Sequence, residues 1–433
     1  MKQSRTVVVG IVLVTMLLLA AGPSAVFAGG AGERAAVSTG PVELVYNNFS
    51  AGETNAKVLN DMLDLFRQKY PNIKVTNDAM GYGDAYWTQL TTRIAGGNAP
   101  DAFEVNMENF IPYVTRDVML PLDEYYAAAG AKSGIYSKAV LDACTYQGKL
   151  YAVPQSFSTV VMIYNKNLFD RAGIAYPTEN WKWADAVAAG QKITALGEDI
   201  WGTFNPIQFW EFYKVVQQNG GSLLSADRKH FTINSPQNLE TLQYMVDRIR
   251  KYKVMPDKVA QADRTESDLF VEGRLAMWLN GVWSFSELQK RAPADLRWGA
   301  EVEPGNTAKA THFFANVAAV SRTAKHPKEA FTLLHFLASD PQVVALRLKA
   351  QWELPTVSDP KLVETYINAT PPDNKKSVFR SLEYVVRPPA LKQFNELANL
   401  VTTKLEAARD GTLSPKEALD QAQAEAERTI KLE

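Results

Sequence analysis

Strand-like and helix-like segments alternate along the first third of this 433-residue chain, and this alternation restricts the possible folds more than any other feature. Residues 41–46, 73–76 and 101–105 have the short apolar runs of strands, whereas 57–70 and 84–94 carry apolar residues at helical spacing. Strands that alternate with helices pair side by side in parallel, because each helix carries the chain back to the same end of the sheet. The sequence therefore predicts an α/β fold with a mostly parallel sheet.

A second set of the same elements follows in the middle of the chain. Helices are predicted over 180–195, capped by Asn180, and over 236–251, and apolar strands over 275–279 and 297–302. A chain of this length has room for two domain-sized cores. We therefore expect two lobes of α/β character, followed by a largely helical last third.

The connection between the lobes is predicted where two strand-like runs, 149–154 and 160–164, are separated by the polar segment Gln155–Thr159. A strand pair interrupted in this way suits a hinge that passes from one lobe to the other. The predicted organisation is a first lobe of residues 41–153 plus 313–365, a second lobe of residues 154–312 plus 366–433, and hinges near 150–159, 305–313 and 355–370.

The first 28 residues have the form of a cleavable export signal. Lys2 and Arg5 precede the apolar run 7–21, and Val26-Phe27-Ala28 supplies the small residues that a signal peptidase accepts. The alternative is a membrane anchor, but a span needs about 20 apolar residues and this run is shorter. Residues 1–28 are therefore predicted to be a signal peptide, 29–40 a flexible tail, and the protein periplasmic or extracellular.

Composition excludes several other classes of protein. The formal net charge of −1 offers no basic field for nucleic acid. The only cysteine, Cys144, lies far from the mature start, so no lipid anchor is expected, and four histidines cannot compensate for the missing ligands of a Cys-rich metal cluster. The phosphate-binding, zinc-protease and serine-hydrolase motifs do not occur, so we predict no catalytic residue, metal or cofactor. A glycoside hydrolase remains open, because its two carboxylates need no fixed spacing in sequence.

Aromatic residues with polar neighbours cluster beside predicted strand ends. They occur at Tyr82-Gly83-Asp84, Tyr86-Trp87, Gln208-Phe209-Trp210, Asn280-Gly281-Val282-Trp283 and Gln351-Trp352-Glu353. A pyranose has an apolar C–H face that stacks on an aromatic ring, and hydroxyls that need hydrogen-bonding partners. The pattern therefore favours a carbohydrate ligand, with packing in the core as the alternative for any single ring.

Two strand ends give the most specific candidates. Asn280-Gly281 is expected to break the strand 275–279, which places Trp283 at the carboxyl edge, where open α/β sheets bind ligands. Glu108 and Asn109 follow the strand that ends at Val105, where they would either hydrogen-bond a ligand or begin the next helix. The sequence alone leaves both possibilities open for these two residues.

Several short motifs appear in a particular order along the mature chain. They are Ala95-Gly96-Gly97-Asn98-Ala99-Pro100-Asp101, Tyr146-Gln147-Gly148-Lys149-Leu150-Tyr151-Ala152-Val153-Pro154, Tyr164-Asn165-Lys166-Asn167-Leu168-Phe169, and Phe270-Val271-Glu272-Gly273-Arg274-Leu275-Ala276-Met277 with Asn280-Gly281-Val282-Trp283. In this order the chain resembles the family 1 extracellular solute-binding proteins of carbohydrate ABC transporters, the group that includes maltose-binding protein.

The resemblance implies a two-lobe periplasmic-binding-protein fold, the Venus flytrap of type II-like topology, in which each lobe is a mostly parallel sheet flanked by helices. It implies a monomer that is not an enzyme, that binds a sugar or oligosaccharide between its lobes, and that delivers it to ABC permease subunits served by separate ATPase subunits.

The resemblance also assigns site residues. Glu108 falls at an acidic hydroxyl ligand of the maltose-type proteins, and Trp210 and Trp283 fall at stacking aromatic positions. Phe285 stands where those proteins have another Trp, and Ser158 replaces an acid, so maltose itself is not implied. The complete set of candidate ligand-binding residues is Trp283, Trp210, Glu108, Asn109, Asn280, Tyr82, Asp84, Trp87, Asn48, Ser158, Gln155, His312, Trp352 and Glu353.

Two alternative functions remain at this point. One is a secreted glycoside hydrolase or lyase. The other is the same two-lobe clamp for a non-sugar solute such as a phosphorylated polyol, which needs converging Arg or Lys side chains. The candidate loops contain no such basic cluster.

Overall fold

The computed structural model describes residues 40–432 except 53, 131–135, 137 and 358. The predicted signal peptide 1–28, and the predicted tail up to residue 39, lie outside the described residues. The strands are β1 (Val42–Asn48), β2 (Ile73–Ala79), β3 (Ala102–Asn106), β4 (Thr145–Tyr146), β5 (Lys149–Leu150), β6 (Val153–Asn165), β7 (Trp201–Phe204), β8 (Leu275–Gly281), β9 (Trp298–Glu301), β10 (Thr311–Val320) and β11 (Val385–Val386).

Helices cover both sides of the sheet formed by these strands. They are α1 (Ala56–Lys69), α2 (Asp84–Ala95), α3 (Met107–Val114), α4 (Asp123–Ala128), α5 (Lys138–Ala143), α6 (Lys166–Ala172), α7 (Trp183–Thr194), α8 (Phe209–Gln218), α9 (Pro236–Arg250), α10 (Lys258–Gln261), α11 (Glu266–Val271), α12 (Ser284–Arg291), α13 (Pro327–Ser339), α14 (Pro341–Lys349), α15 (Pro360–Asn368), α16 (Lys376–Ser381), α17 (Phe394–Asp410) and α18 (Pro415–Thr429). A short 3₁₀ turn, Leu382–Tyr384, follows α16.

The first lobe contains the predicted parallel strands. β1 pairs in parallel with β2 and with β3, as a β-α-β-α-β chain requires. β10 then joins the far side of β3 in the antiparallel direction. The predicted α/β class is confirmed, and the mostly parallel sheet holds for the three N-terminal strands of this lobe.

The sheet of the second lobe is mixed, so the expectation of a mostly parallel sheet is wrong there. β7 and β8 are parallel, but β6 is antiparallel to β8, to β9 and to β10. The reason is that β6 passes directly from the first lobe into the second. Parallel strands need a crossover helix between them, and no such helix precedes β6 in the second lobe.

The predicted interruption at 155–159 is also wrong, because β6 is one continuous strand of 13 residues. Its first half pairs with β10 and its second half with β8 and β9. The polar residues Ser156, Ser158 and Thr159 are buried within it. Strand pairing satisfies the backbone through this segment, so polar side chains do not break it.

Two large apolar cores flank the crossing strands. The first packs the α1 residues Met62 and Phe66 with residues 313–337 of β10 and α13, and the second packs α8 and α9 with the C-terminal helices. Near residue 353 the chain passes from one core to the other, because Trp352 packs in the first core and Leu354 in the second. The two cores are the hydrophobic interiors of two lobes.

Helix starts agree with the sequence where a side chain caps the backbone. Ser235, Asp340 and Ser414 each accept a backbone N–H from the first turn of the helix that follows. Asn180 does not cap a helix, contrary to expectation. The helix begins at Trp183 instead, where the Asp185 carboxylate accepts the backbone N–H of Lys182 at 2.8 Å.

Cys144 is fully buried in the first core, where it packs as a small apolar side chain. Burial raises the pKa of its thiol far above the ordinary value. We expect Ellman's reagent to react with about one thiol per chain in denaturant and with almost none in the folded protein. Rapid reaction of the folded protein would contradict this burial.

Candidate functional site

A cavity of about 420 Å³ lies between the lobes. Seven of the side chains predicted from the sequence line it: Tyr82, Glu108, Trp210, Asn280, Trp283, His312 and Glu353. Larger grooves of about 810 and 720 Å³ lie on the second and the first lobe respectively. Each of these grooves is confined to one lobe, whereas residues of both lobes line the 420 Å³ cavity, so a ligand in it contacts both.

One wall of the cavity is aromatic. Phe314 of β10 lies between two tryptophans, with ring centres 6.2 Å from Trp210 and 5.6 Å from Trp283. The planes are tilted by 60° and 58°, so the three rings form a curved wall. Trp283 is 38% exposed, so its ring is available to an incoming ligand.

The strand end of β8 positions Trp283. The strand runs to Gly281, two residues further than the sequence suggested, and Trp283 lies two residues after its end. The indole lies against the backbone of Gly281, where an added Cβ would be 2.0 Å from the ring. Gly281 therefore leaves the space that the indole occupies. This is the carboxyl-edge position that the sequence predicted for Trp283.

The opposite wall comes from the first lobe. Tyr82 is 59% exposed and its ring centre lies 5.4 Å from that of Phe49. Asn106 Nδ2 donates to the Tyr82 hydroxyl at 3.4 Å. This wall thus offers an aromatic face and polar atoms together.

Glu108 has the most unusual environment in the cavity. It sits in the first turn of α3, with 6% of its surface exposed, and neither carboxyl oxygen has a hydrogen-bond partner on another described residue. Burial raises its pKa from 4.5 to about 8. A buried polar group left without a partner is costly, so Glu108 is well placed to bond a ligand hydroxyl.

A buried charge cluster underlies the same cavity. Lys214 Nζ contacts Glu303 and lies 2.7 Å from Glu211 Oε2, so one cation pairs with two acids. Glu211 Oε1 also lies 3.3 Å from His312 Nε2. Burial lowers the pKa of His312 well below its ordinary value, and the charge of Lys214 lowers it further. His312 is therefore neutral at physiological pH and presents an uncharged ring to the cavity.

Several predicted residues lie outside the cavity lining, either hydrogen-bonded elsewhere or buried in the packing of the protein. Asn48 is buried and donates to Asn77 Oδ1 at 2.8 Å. Gln155 donates to the Leu334 carbonyl at 3.1 Å. Ser158 is buried in β6 opposite Phe314, and Trp352 packs in the first core.

Asn109 lies in the first turn of α3, so its segment does begin a helix. The N-cap of α3 is Asn106, whose side chain accepts the backbone N–H of Asn109. The Asn109 side chain donates to Asn106 Oδ1 at 2.7 Å and accepts from Asn395 Nδ2 at 3.0 Å. Asn109 thus joins α3 of the first lobe to α17 of the second, while Glu108 points into the cavity.

Asp84 and Trp87 lie on α2, behind Tyr82. Asp84 is exposed in the first turn of the helix. The Trp87 ring packs against Phe49 and Tyr82, with centres 5.6 and 6.1 Å away. Neither residue lines the cavity, and Trp87 supports the rings that do.

Further residues line the cavity and were not predicted from the sequence, among them Phe49, Gln208, Glu211, Phe314 and Asn316. For β10 a signal existed: His312 was a candidate, and residues at i, i+2 and i+4 of a strand share one face. That rule adds Phe314 and Asn316. Glu211 gave no such signal, because its place depends on the partner Lys214. Within the described residues, no cluster of three His, Cys, Asp or Glu side chains is arranged to hold a metal ion.

The chain is similar to several known binding proteins. An ABC substrate-binding protein of Listeria monocytogenes, solved in complex with cycloalternan, is 38% identical and superposes with a TM-score of 0.85 over 90% of this chain and 98% of that chain. The arabinooligosaccharide-binding protein of Bacillus subtilis is 26% identical over 246 residues, 56% of this chain and 55% of the relative. The galactooligosaccharide-binding protein of the same organism is 23% identical over 347 residues, 77% and 78% of the two chains.

The family model described as bacterial extracellular solute-binding protein matches residues 50–344, which include most of both lobes and the crossing strands β6 and β10. The two-lobe α/β fold, the cavity between the lobes and this match agree. The chain belongs to the bacterial extracellular solute-binding proteins.

Proposed function

We propose that this protein binds a neutral oligosaccharide in the cavity between its lobes and presents it to the permease of an ABC importer. The observation that carries the proposal is the curved aromatic wall of Trp210, Phe314 and Trp283 facing the unpartnered carboxyl of Glu108. The names of the relatives from Listeria and Bacillus, which bind cycloalternan, arabinooligosaccharides and galactooligosaccharides, support the same ligand class.

The charges around the cavity favour an uncharged ligand. The acids Glu108, Glu211 and Glu353 line it, whereas the nearby cation Lys214 is already paired with Glu211 and Glu303. A phosphorylated ligand would therefore meet carboxyl groups in a region of low dielectric and find no free cation among the described lining residues. This argues against the phosphorylated polyol as ligand.

Binding is coupled to lobe closure by contacts that only a bridging ligand makes. A sugar held by Trp283 and Glu108 touches both lobes, and it favours the closed arrangement by the free energy of those added contacts. A micromolar affinity corresponds to about −8 kcal/mol, which a few stacked rings and hydrogen bonds supply. The lobes already meet beside the cavity, where Ser286 Oγ donates to Asn55 Oδ1 at 2.9 Å.

The proposed role is binding without catalysis. The relatives are named binding proteins, and the family model is that of a solute-binding protein. Action outside the cytoplasmic membrane follows from the family, with cleavage after Ala28, no lipid anchor and a monomeric state as further parts of the proposal. Within the described residues no helix has the length and hydropathy of a membrane span.

A thermal-shift screen with neutral oligosaccharides tests this proposal. At a free concentration of 100 times Kd, a ligand adds about 2.7 kcal/mol to the free energy of unfolding and raises the Tm by several degrees. Sugar phosphates at the same concentration serve as the control and should leave the Tm unchanged. If sugar phosphates alone stabilised the protein, or if bound oligosaccharide were hydrolysed to products, the proposed function would be wrong.

A further inference from the structure

Three segments connect the two lobes in the described part of the chain, and they overlap the hinges predicted near 150–159, 305–313 and 355–370. The first two are β6 and β10, which pair with strands of both lobes. The third is 351–357, which places Trp352 in the first core and Leu354 in the second. It also pairs with β6: Phe157 N–H donates to the Leu354 carbonyl at 3.0 Å, and Leu354 N–H donates to the Phe157 carbonyl at 2.9 Å.

One carboxylate joins all three segments. Glu353 lies on the third segment and is 8% exposed. It accepts a short hydrogen bond from Ser156 Oγ of β6. It also accepts from Asn316 Nδ2 of β10, which lies 3.0 and 2.9 Å from its two oxygens. A single side chain therefore fixes the spacing of the three connections at one point beside the cavity.

The local backbone is held in a costly conformation to place this carboxylate. Gln351 and Glu353 have φ values of 51° and 55°, in the left-handed region that residues with a Cβ rarely adopt. Trp352, between them, is anchored by Arg347, whose guanidinium lies 4.3 Å from the indole centre and donates to the Trp352 carbonyl at 3.4 Å. The turn thus sends Trp352 into the first lobe and Glu353 toward β6 and β10.

We propose that Glu353 is the positioning residue that fixes the relative orientation of the two lobes. Its carboxylate bonds hold the three connecting segments in one arrangement, so rotation of one lobe against the other has to stretch or break bonds at this point. Glu353 was a ligand candidate from the sequence, and here it acts on the ligand indirectly, through the geometry of the cavity. This inference rests on the proposed function in one respect, which is that closure of the lobes serves to bind a ligand.

The test measures the distance between the lobes directly and needs no sugar. Spin labels are placed at Asp64→Cys on α1 and Val259→Cys on α10, both exposed positions, while Cys144 is buried and stays unlabelled. Double electron–electron resonance on the full mature chain then gives the distribution of distances. In the Glu353→Gln variant, we expect this distribution to become about twofold broader, because the amide offers Ser156 and Asn316 only one oxygen acceptor.

Glu301→Gln is the matched control. Glu301 is also a buried acid with two donors, Val302 N–H at 2.8 Å and Asn374 Nδ2 at 2.9 Å, but its bonds stay within the second lobe. It should lower the Tm without changing the distance distribution. Ser156→Ala removes one donor and keeps the carboxylate, so we expect it to broaden the distance distribution less than Glu353→Gln does. It also provides the test if Glu353→Gln fails to fold.

The outcomes separate the positioning role from an ordinary structural one. A narrow, native distribution in both Glu353→Gln and Ser156→Ala would overturn the proposal, even if the Tm of both variants falls. Equal broadening in Glu301→Gln would overturn it too, because loosening would then follow the loss of any buried acid. Failure of oligosaccharides to bind would refute the proposed function and leave this distance measurement interpretable.

Discussion

We expect the free energy of unfolding of the native protein to fall as the pH rises from about 5 to 8. In the Glu108→Gln variant, this fall should disappear. Burial raises the pKa of Glu108 from 4.5 to about 8 in the folded state. Between these values the folded protein binds the proton more tightly than the unfolded chain does. The free energy of unfolding therefore falls as the pH rises through this window, and the contribution is lost above the folded pKa. At about 1.4 kcal/mol per pKa unit, the total is of the order of 5 kcal/mol.

Urea unfolding without ligand, at pH 5 and at pH 8.5, measures this difference. The glutamine stays neutral at both values, so the variant should match the native protein at pH 5 and exceed its stability at pH 8.5. Glu43→Gln, which alters an exposed acid on β1 of the same lobe, is the control and should leave the pH dependence unchanged. Parallel pH profiles for the native protein and Glu108→Gln would show that Glu108 is ionised in the folded state.

Trp283→Ala is expected to weaken oligosaccharide binding about 30- to 100-fold, a cost of about 2 to 3 kcal/mol that is typical of an aromatic hot spot. The indole is 38% exposed and faces the cavity, so its removal takes away a stacking surface while disturbing little of the core. The Tm without ligand should change little. Isothermal titration with the oligosaccharide that the thermal-shift screen identifies gives the affinity.

Two further variants make this measurement specific. Trp181→Ala removes an indole that packs in the second lobe away from the cavity, so it should lower the Tm and leave the affinity unchanged. Gly281→Ala keeps the indole of Trp283 but places a methyl group where the ring lies. It should weaken binding as well, by displacing the ring. Native affinity in both Trp283→Ala and Gly281→Ala would remove this residue from the binding site.

Local pattern was enough to predict the regular elements of the fold. The strand 73–76 and the helix 84–94 appear as β2 and α2, because their apolar spacing matches the side that each element buries. Local pattern failed at 155–159. The polar side chains there are buried by contacts with β10 and with Glu353, which lies almost two hundred residues further along the chain. No short window of sequence contains that partner.

The candidate site shows the same division. Trp283 was predicted because it follows a strand end, which is a local feature. Glu108 also follows a strand end, but its role stayed open until the family resemblance assigned it to the site. Trp352 and Glu353 are neighbours in sequence, yet the left-handed turn sends one into a core and the other to the cavity. The position of an aromatic or acidic residue in a predicted loop therefore does not fix the direction of its side chain. That direction depends on the backbone conformation, which in turn depends on tertiary packing.

The place of β10 in the sheet determines the order in which the molecule can be completed. β10 lies between β3 and β6, although all the strands β3 to β9 precede it in the chain. During synthesis, the edge of β3 that pairs with β10 is therefore expected to stay unpaired until residue 320 has left the ribosome. Such distant pairing slows folding. We therefore expect the chain to remain unfolded for most of its synthesis. An unfolded, extended chain is the form that a narrow translocation channel can pass.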